Sequence, residues 1–329
     1  MTARPTRRAY LVGVALALAT AACLSAQDTL SAPGAKSLTG AQFVFVNQIA
    51  LLVAAPLFLI EPQARRDFRA ILGSSSGRRS LVWLTLVGLA GLVLFNLGLR
   101  HAHPVVVSAI LNLAPFWAAL SARVVAGVPV PVSAGVFAVS LAATFAGAMT
   151  VAYSQTPPGD SGLGAMFSKG SWYFAIPVPL LTALSGTLLG VWFKDRRESA
   201  AVAAALFVPA VALIPVTAFI IWRRGESFAM DWRPVALLAV GAIVSSAFGR
   251  LLYQRALTVT GGDNGFVTMF FLLGPALAGL YAWVLSNWIG GLAFSLNAEF
   301  FAGMALTTAS LIYFARRSRA AAGEPESAP

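Results

Sequence analysis

The chain has 329 residues, of which 58% are hydrophobic and 11% charged, with a formal net charge of +11. Charges this scarce, collected between long uncharged runs, place the chain in a membrane and exclude an ordinary soluble domain. The basic excess is scattered between the runs, which excludes the clustered face a nucleic-acid binder needs, and the single cysteine, Cys23, excludes a disulfide framework or a thiolate metal cluster.

About ten apolar runs follow in chain order, at 10–30, 40–60, 80–99, 105–125, 132–153, 172–193, 200–222, 234–257, 265–285 and 298–315. A bilayer core needs about 20 apolar residues in helical form, and continuous rather than alternating runs select helices over a barrel. The first run follows Arg7 and Arg8 in the manner of a secretory signal, but apolar character continues to Leu30, so an uncleaved helix is expected. It carries Asp28 near its outer end, and the second run carries Asn47. Between the second and third runs, a basic stretch ending in G-S-S-S-G-R-R reads as a flexible loop.

The fourth run holds Ser108, Asn112, Pro115 and Ala119 at spacings that share one helical face, with Trp117 beside them. The stretch 154–171 is rich in Pro, Gly and Ser and reads as a linker. The sixth run contains Gly186 and Gly190, and the eighth contains Gly241, Ser245 and Gly249, small-residue faces that allow close helix approach. Arg250 lies in the eighth run, where snorkelling to the interface is expected, and Tyr253 and Gln254 follow it. The ninth run repeats the pattern of the fourth as Asn264, Thr268, Pro275 and Gly279, in register at the two prolines. The final stretch, 320–329, reads as a disordered tail.

Basic residues resist translocation, so their distribution sets orientation. An inside N-terminus leaves only Lys36, Arg100, Lys169, Arg223, Arg224 and Arg233 outside or at outer helix ends, and both termini are then cytoplasmic. A division into 1–156 and 157–319 gives five helices per half. An odd number makes the second half enter from the opposite side, so the repeats are inverted, the arrangement from which alternating access follows. The fold expected is an all-α integral membrane protein of about ten transmembrane helices in two inverted five-helix repeats.

The run L-R-H-A-H-P-V-V-V-S-A-I-L-N-L-A-P-F-W-A-A-L, the later Y-Q-R-A-L and F-L-L-G-P-A-L-A-G-L, and the ten-run layout resemble the EamA-like branch of the drug/metabolite transporter superfamily. The resemblance covers almost the whole chain and implies a secondary transporter in the bacterial inner membrane. The family often exports amino acids or related metabolites, held between the repeats. Two departures stand out: Gly127, Val128 and Gly290, Gly291 lack the Gly-Glu common after helices four and nine, and Asn47 stands where an early arginine is frequent.

The mirrored stripes make Asn47, Ser108, Asn112, Pro115, Trp117, Tyr253, Asn264, Thr268 and Pro275 the candidate substrate-binding residues. A proline within a membrane helix frees a carbonyl that a cavity can satisfy; tolerated kinks with polar side chains as interhelical glue are the plainer alternative. Asp28 is the candidate coupling carboxylate, against the alternative of a solvated vestibule residue. His101 and His103 are spaced i, i+2 and no H-E-x-x-H, G-x-S-x-G or Walker motif occurs in a suitable context, so no enzyme activity, cofactor or metal is expected. The expected partners are a small-molecule metabolite and membrane lipid, without nucleic acid; lipid-facing sides leave room for a homodimer. A transport-inactive sensor or accessory subunit is the alternative function.

Overall fold

A computed structural model describes residues 7–130, 132–155, 176–260, 267, 270–286 and 294–321. Among the described residues the regular structure is helical and no strand occurs. Helix α1 (Arg7–Ser37) leads into α2 (Gly40–Ala54), which starts at a capping box in which Thr39 and Gln42 satisfy each other's backbone donors. At Ala55–Leu59 the helix tightens into a 3₁₀ turn, where Pro56 withdraws a backbone donor.

The expected flexible loop is instead helix α3 (Pro62–Gly73), a correction with a visible cause. Pro62 opens it, the basic residues point outward, and Ala64, Asp67 and Ile71 are buried against neighbouring helices. Helix α4 (Ser75–His101) begins at the Ser74 side chain, which accepts from the Gly77 N–H.

The fourth run is broken rather than kinked. Helix α5 (Pro104–Leu111) and helix α6 (Ala114–Ala126) meet at 42° across Asn112 and Leu113. Pro115 has no N–H for the Leu111 carbonyl and its ring crowds that carbonyl, so the ladder stops there. Helix α7 (Ala134–Ser154) follows.

The second half contains α8 (Pro177–Trp192), α9 (Glu198–Arg223) and α10 (Trp232–Gly241). A π-helical stretch, Ala242–Gly249, joins α10 to α11 (Arg250–Val259). A 3₁₀ turn, Phe270–Leu273, precedes α12 (Gly274–Ser286), and α13 (Ala298–Ala321) closes the chain, longer than its run predicts. Pro275 is the second residue of α12, as Pro115 is of α6, so both prolines open a helix directly after an interruption. The expected linker lies almost wholly outside the described residues, as does the tail beyond Ala321.

Seven helices are long and apolar enough to cross a membrane, or eight with the α5–α6 pair as one broken span. The runs at 172–193 and 265–285 yield shorter apolar helices, Pro177–Trp192 and Phe270–Ser286. The chain is therefore an all-helical protein with the helices of an integral membrane protein, seven to eight of them long enough by themselves among the described residues.

Packing is densest between α7 and α13, where Gly147 faces Gly303: a Cβ on Gly303 would stand 2.7 Å from the Gly147 carbonyl oxygen. Thr144 donates to Ser310 at 3.0 Å and Ser310 to the Ser140 carbonyl at 2.7 Å along the same seam. Elsewhere α2 packs on α9, α4 and α6 on α8, α5 on α12, and α1 on α10, the π stretch, α11 and α12. The small-residue face of the eighth run meets α1, with Gly241 against Ser31 and Gly249 against Cys23.

Polar contacts fasten the two ends of the bundle. At one end Arg100 caps α1 through the Ala35 and Leu38 carbonyls, and Thr39 donates to Glu226 at 2.6 Å. At the other, Asp67 pairs with Arg196 and accepts from the Arg197 N–H, and Arg197 pairs with Glu61 at 2.9 Å.

Candidate functional site

The site is built from the helices that pass closest to the centre. Helix α1 turns Thr20, Ser25 and Asp28 toward it at successive turns; α2 supplies Asn47 and Gln48; the π stretch and α11 supply Ser245, Arg250 and Tyr253. With α4, α8 and α9 completing the wall, they enclose a cavity of about 220 Å³. Leu51, Leu84, Leu92, Phe95, Leu213 and Phe271 make most of its surface apolar. This combination of an apolar wall and a few converging polar groups is that of a small-molecule site.

Four polar atoms in this wall are buried with no hydrogen-bond partner: Asp28 Oδ2, Asn47 Nδ2, Gln48 Oε1 and Ser245 Oγ. Buried polar groups are ordinarily satisfied, at a cost of about 1–3 kcal/mol each when they are not. Here they come from three separate segments and include acceptors and a donor. Asp28, at 2% exposure, shares the cavity wall with Ser108. Ser108 in turn touches the start of α12, its hydroxyl 2.8 Å from where a Cβ on Gly274 would lie. A side chain at 274 would displace that hydroxyl, which is what the glycine permits.

Asp28 thus differs from the solvated vestibule residue that sequence position alone allows. Helix α1 runs on to Ser37, about 13 Å beyond Asp28 at 1.5 Å per residue, which carries the carboxyl inward. Arg250, expected to snorkel, begins α11 with its side chain in the cavity wall. Arg255 on the same helix is exposed.

Of the residues singled out from the sequence, Asn47, Ser108, Tyr253 and Asp28 are brought together around this cavity. Pro115, Trp117 and Pro275 do not line it; the prolines set the helix breaks beside it. Asn112 does not line it either: at 1% exposure it sits in the α5–α6 break with both side-chain polar atoms unpartnered. The shared face of Ser108, Asn112 and Pro115 exists only in an unbroken helix, and the 42° bend separates its members. Asn264 and Thr268 lie outside the described residues. Gln48 also lines the cavity, though the sequence reading passed it over, and Ser245 and Arg250, expected to serve packing and snorkelling, line it too; for Gln48 and Ser245 a polar doublet inside an apolar run, N-Q at 47–48 or S-S at 245–246, was the available signal.

Among the described residues no cluster of His, Cys, Asp and Glu could hold a metal ion. No family model matches the chain, and no curated protein does. Nineteen chains of solved structures are similar in fold. One, described as "Crystal structure of protein", superposes with a TM-score of 0.53 at 17% identity, covering 99% of this chain and 100% of its own. At that identity the likeness concerns the fold alone.

Proposed function

We propose that this chain is a secondary transporter of the EamA-like kind. It moves a small organic metabolite, an amino acid or a related compound, across the bacterial inner membrane by alternating access, in the direction of export. The carrying observation is the central cavity, apolar but set with unpartnered polar atoms from α1, α2 and the π stretch. Ten spans are counted by taking α5–α6 as one and α8 and α12 as one each. Both termini are then cytoplasmic.

The packing pattern supports two inverted repeats. Moving the first half onto the second takes α1 to α8, α2 to α9, α4 to α10–α11, α5–α6 to α12 and α7 to α13. Under that exchange the α2–α9, α5–α12 and α7–α13 contacts map onto themselves. The contact of α1 with α10–α11 becomes that of α8 with α4, and α6–α8 becomes α12–α1, both present. The end contacts exchange too: Thr39 with Glu226 corresponds to Arg196 and Arg197 with Asp67 and Glu61. A molecule whose halves swap roles has two states of similar packing that open to opposite sides.

Asp28 is the coupling group of this mechanism. A buried carboxyl facing both Ser108 and the cavity takes up a proton from one side and releases it to the other as cargo alternates with it. The test compares metabolites in medium and cells expressing the protein with those expressing Asn47→Leu, which removes an unpartnered polar group without losing volume. A solute lost from cells and gained in the medium only with the intact protein is the expected result. No difference in either fraction, at matched folded protein, would overturn the transport reading in favour of a sensor.

A further inference from the structure

Among the described residues Arg250 is the arginine whose side chain lines the cavity, whereas others without a side-chain partner, such as Arg66, Arg79, Arg123 and Arg255, are exposed. Arg65 and Arg100 donate to backbone carbonyls, Arg196, Arg197 and Arg224 pair with carboxylates, and Arg233 lies over the Trp232 ring. The Arg250 side chain has neither an ion pair nor a hydrogen bond among the described residues, although it lies in the wall of the cavity inside a membrane span. Asp28 lines the same cavity and is not paired with it. A guanidinium kept inside a span without an acceptor is costly, and such groups in membrane proteins serve a pathway or a ligand.

Resting on the transport reading, we infer that Arg250 is the residue that binds the cargo's charged end, and that the cargo is a small organic monocarboxylate with an apolar body. The planar fork of guanidinium donors matches a carboxylate bidentately. A phosphate dianion fits the cavity less well, because among the described residues Arg250 is its one cationic side chain and the second negative charge would be repelled by Asp28. The unpartnered acceptors Asp28 Oδ2 and Gln48 Oε1 favour a donor elsewhere on the cargo, and Leu84, Leu92 and Phe95 receive its apolar part. Tyr253, one helical turn after Arg250, closes the site against Gly186, 3.4 Å from where a Cβ there would lie.

The test uses the purified full-length protein and four matched probes: norleucine, its deaminated counterpart hexanoate, its decarboxylated counterpart pentylamine, and norleucinamide. Norleucine and hexanoate raise the thermal unfolding midpoint; pentylamine and norleucinamide do not. Arg250→Gln abolishes the shift, Arg250→Lys reduces it, and Arg255→Gln, on the exposed side of the same helix, retains it. The unliganded midpoints and elution profiles of the variants establish that each is folded. A shift preserved in Arg250→Gln, a shift produced by pentylamine or norleucinamide alone, or no shift with any probe overturns the inference. Metabolite export by cells separates it from the transport reading. Export that persists in Arg250→Gln, or that concerns solutes lacking a carboxylate, removes the carboxylate inference and leaves a transporter. Absence of any export at matched expression removes the transporter whatever the midpoints show.

Discussion

At the scale of single residues, the cavity is defined by polar groups whose partners are missing rather than by a recognisable motif. Asp28 is the sharpest case, because it is a carboxyl in the cavity wall whose Oδ2 is buried without a partner. Replacing it with Asn keeps shape and most hydrogen bonding but removes the exchangeable proton. In liposomes containing Asp28→Asn, solute exchange at equal pH therefore continues, while acceleration by an imposed pH gradient, present for the wild type, disappears. Acceleration retained by the variant would move coupling to another group. At Gly274, Ala forces its Cβ toward the Ser108 hydroxyl 2.8 Å away, and slower flux with normal yield is expected because Ser108 lines the cavity.

At the scale of elements, prolines and glycines decide geometry in opposite ways. Pro115 opens a helix after a break, so Ser108 and Asn112, which a continuous helix would align with it, are spread over two directions, and Pro275 opens α12 after a 3₁₀ turn. Gly147 and Gly303 instead let α7 and α13 approach until only backbone separates them. Gly303→Val would press a side chain on the Gly147 carbonyl and the Val151 N–H, neither of which can rotate away. Thermal unfolding in detergent is expected to show a loss of about 1–3 kcal/mol or more, the range for overpacked interiors. Gly135→Ala makes the control: nothing lies within 4 Å of the added Cβ, and in the first turn of α7 little change in stability is expected.

At the scale of the whole molecule, both ends are fastened by polar contacts that exchange under the proposed repeat. The orientation is measured by single-cysteine labelling on a Cys23→Ala background. Cysteine at Ser37 is expected to react with a membrane-impermeant maleimide added to intact cells. Cysteine at Ser76, in the α4 first turn, is expected to react only in inverted vesicles. The reverse pattern would invert the topology drawn from Lys and Arg placement.

Membrane residence and the helical class were determined by the amino-acid sequence alone, because they depend on local quantities: run length, the absence of charge, and the need to satisfy backbone groups within a segment. Asn47, Ser108, Tyr253 and Asp28 were legible for the same reason, as polar groups interrupting apolar runs. Other features depended on tertiary structure. Whether the fourth run kinks or breaks is set by its packing against α8 and α12 as well as by Pro115, and the burial of Asp28 and the placing of Arg250 in the cavity wall follow from how α1 and α11 pack. That Arg250 faces a cavity without an acceptor, while Arg196 and Arg197 meet Asp67 and Glu61, is a relation between distant segments, and the spacing along a single helix holds no record of it.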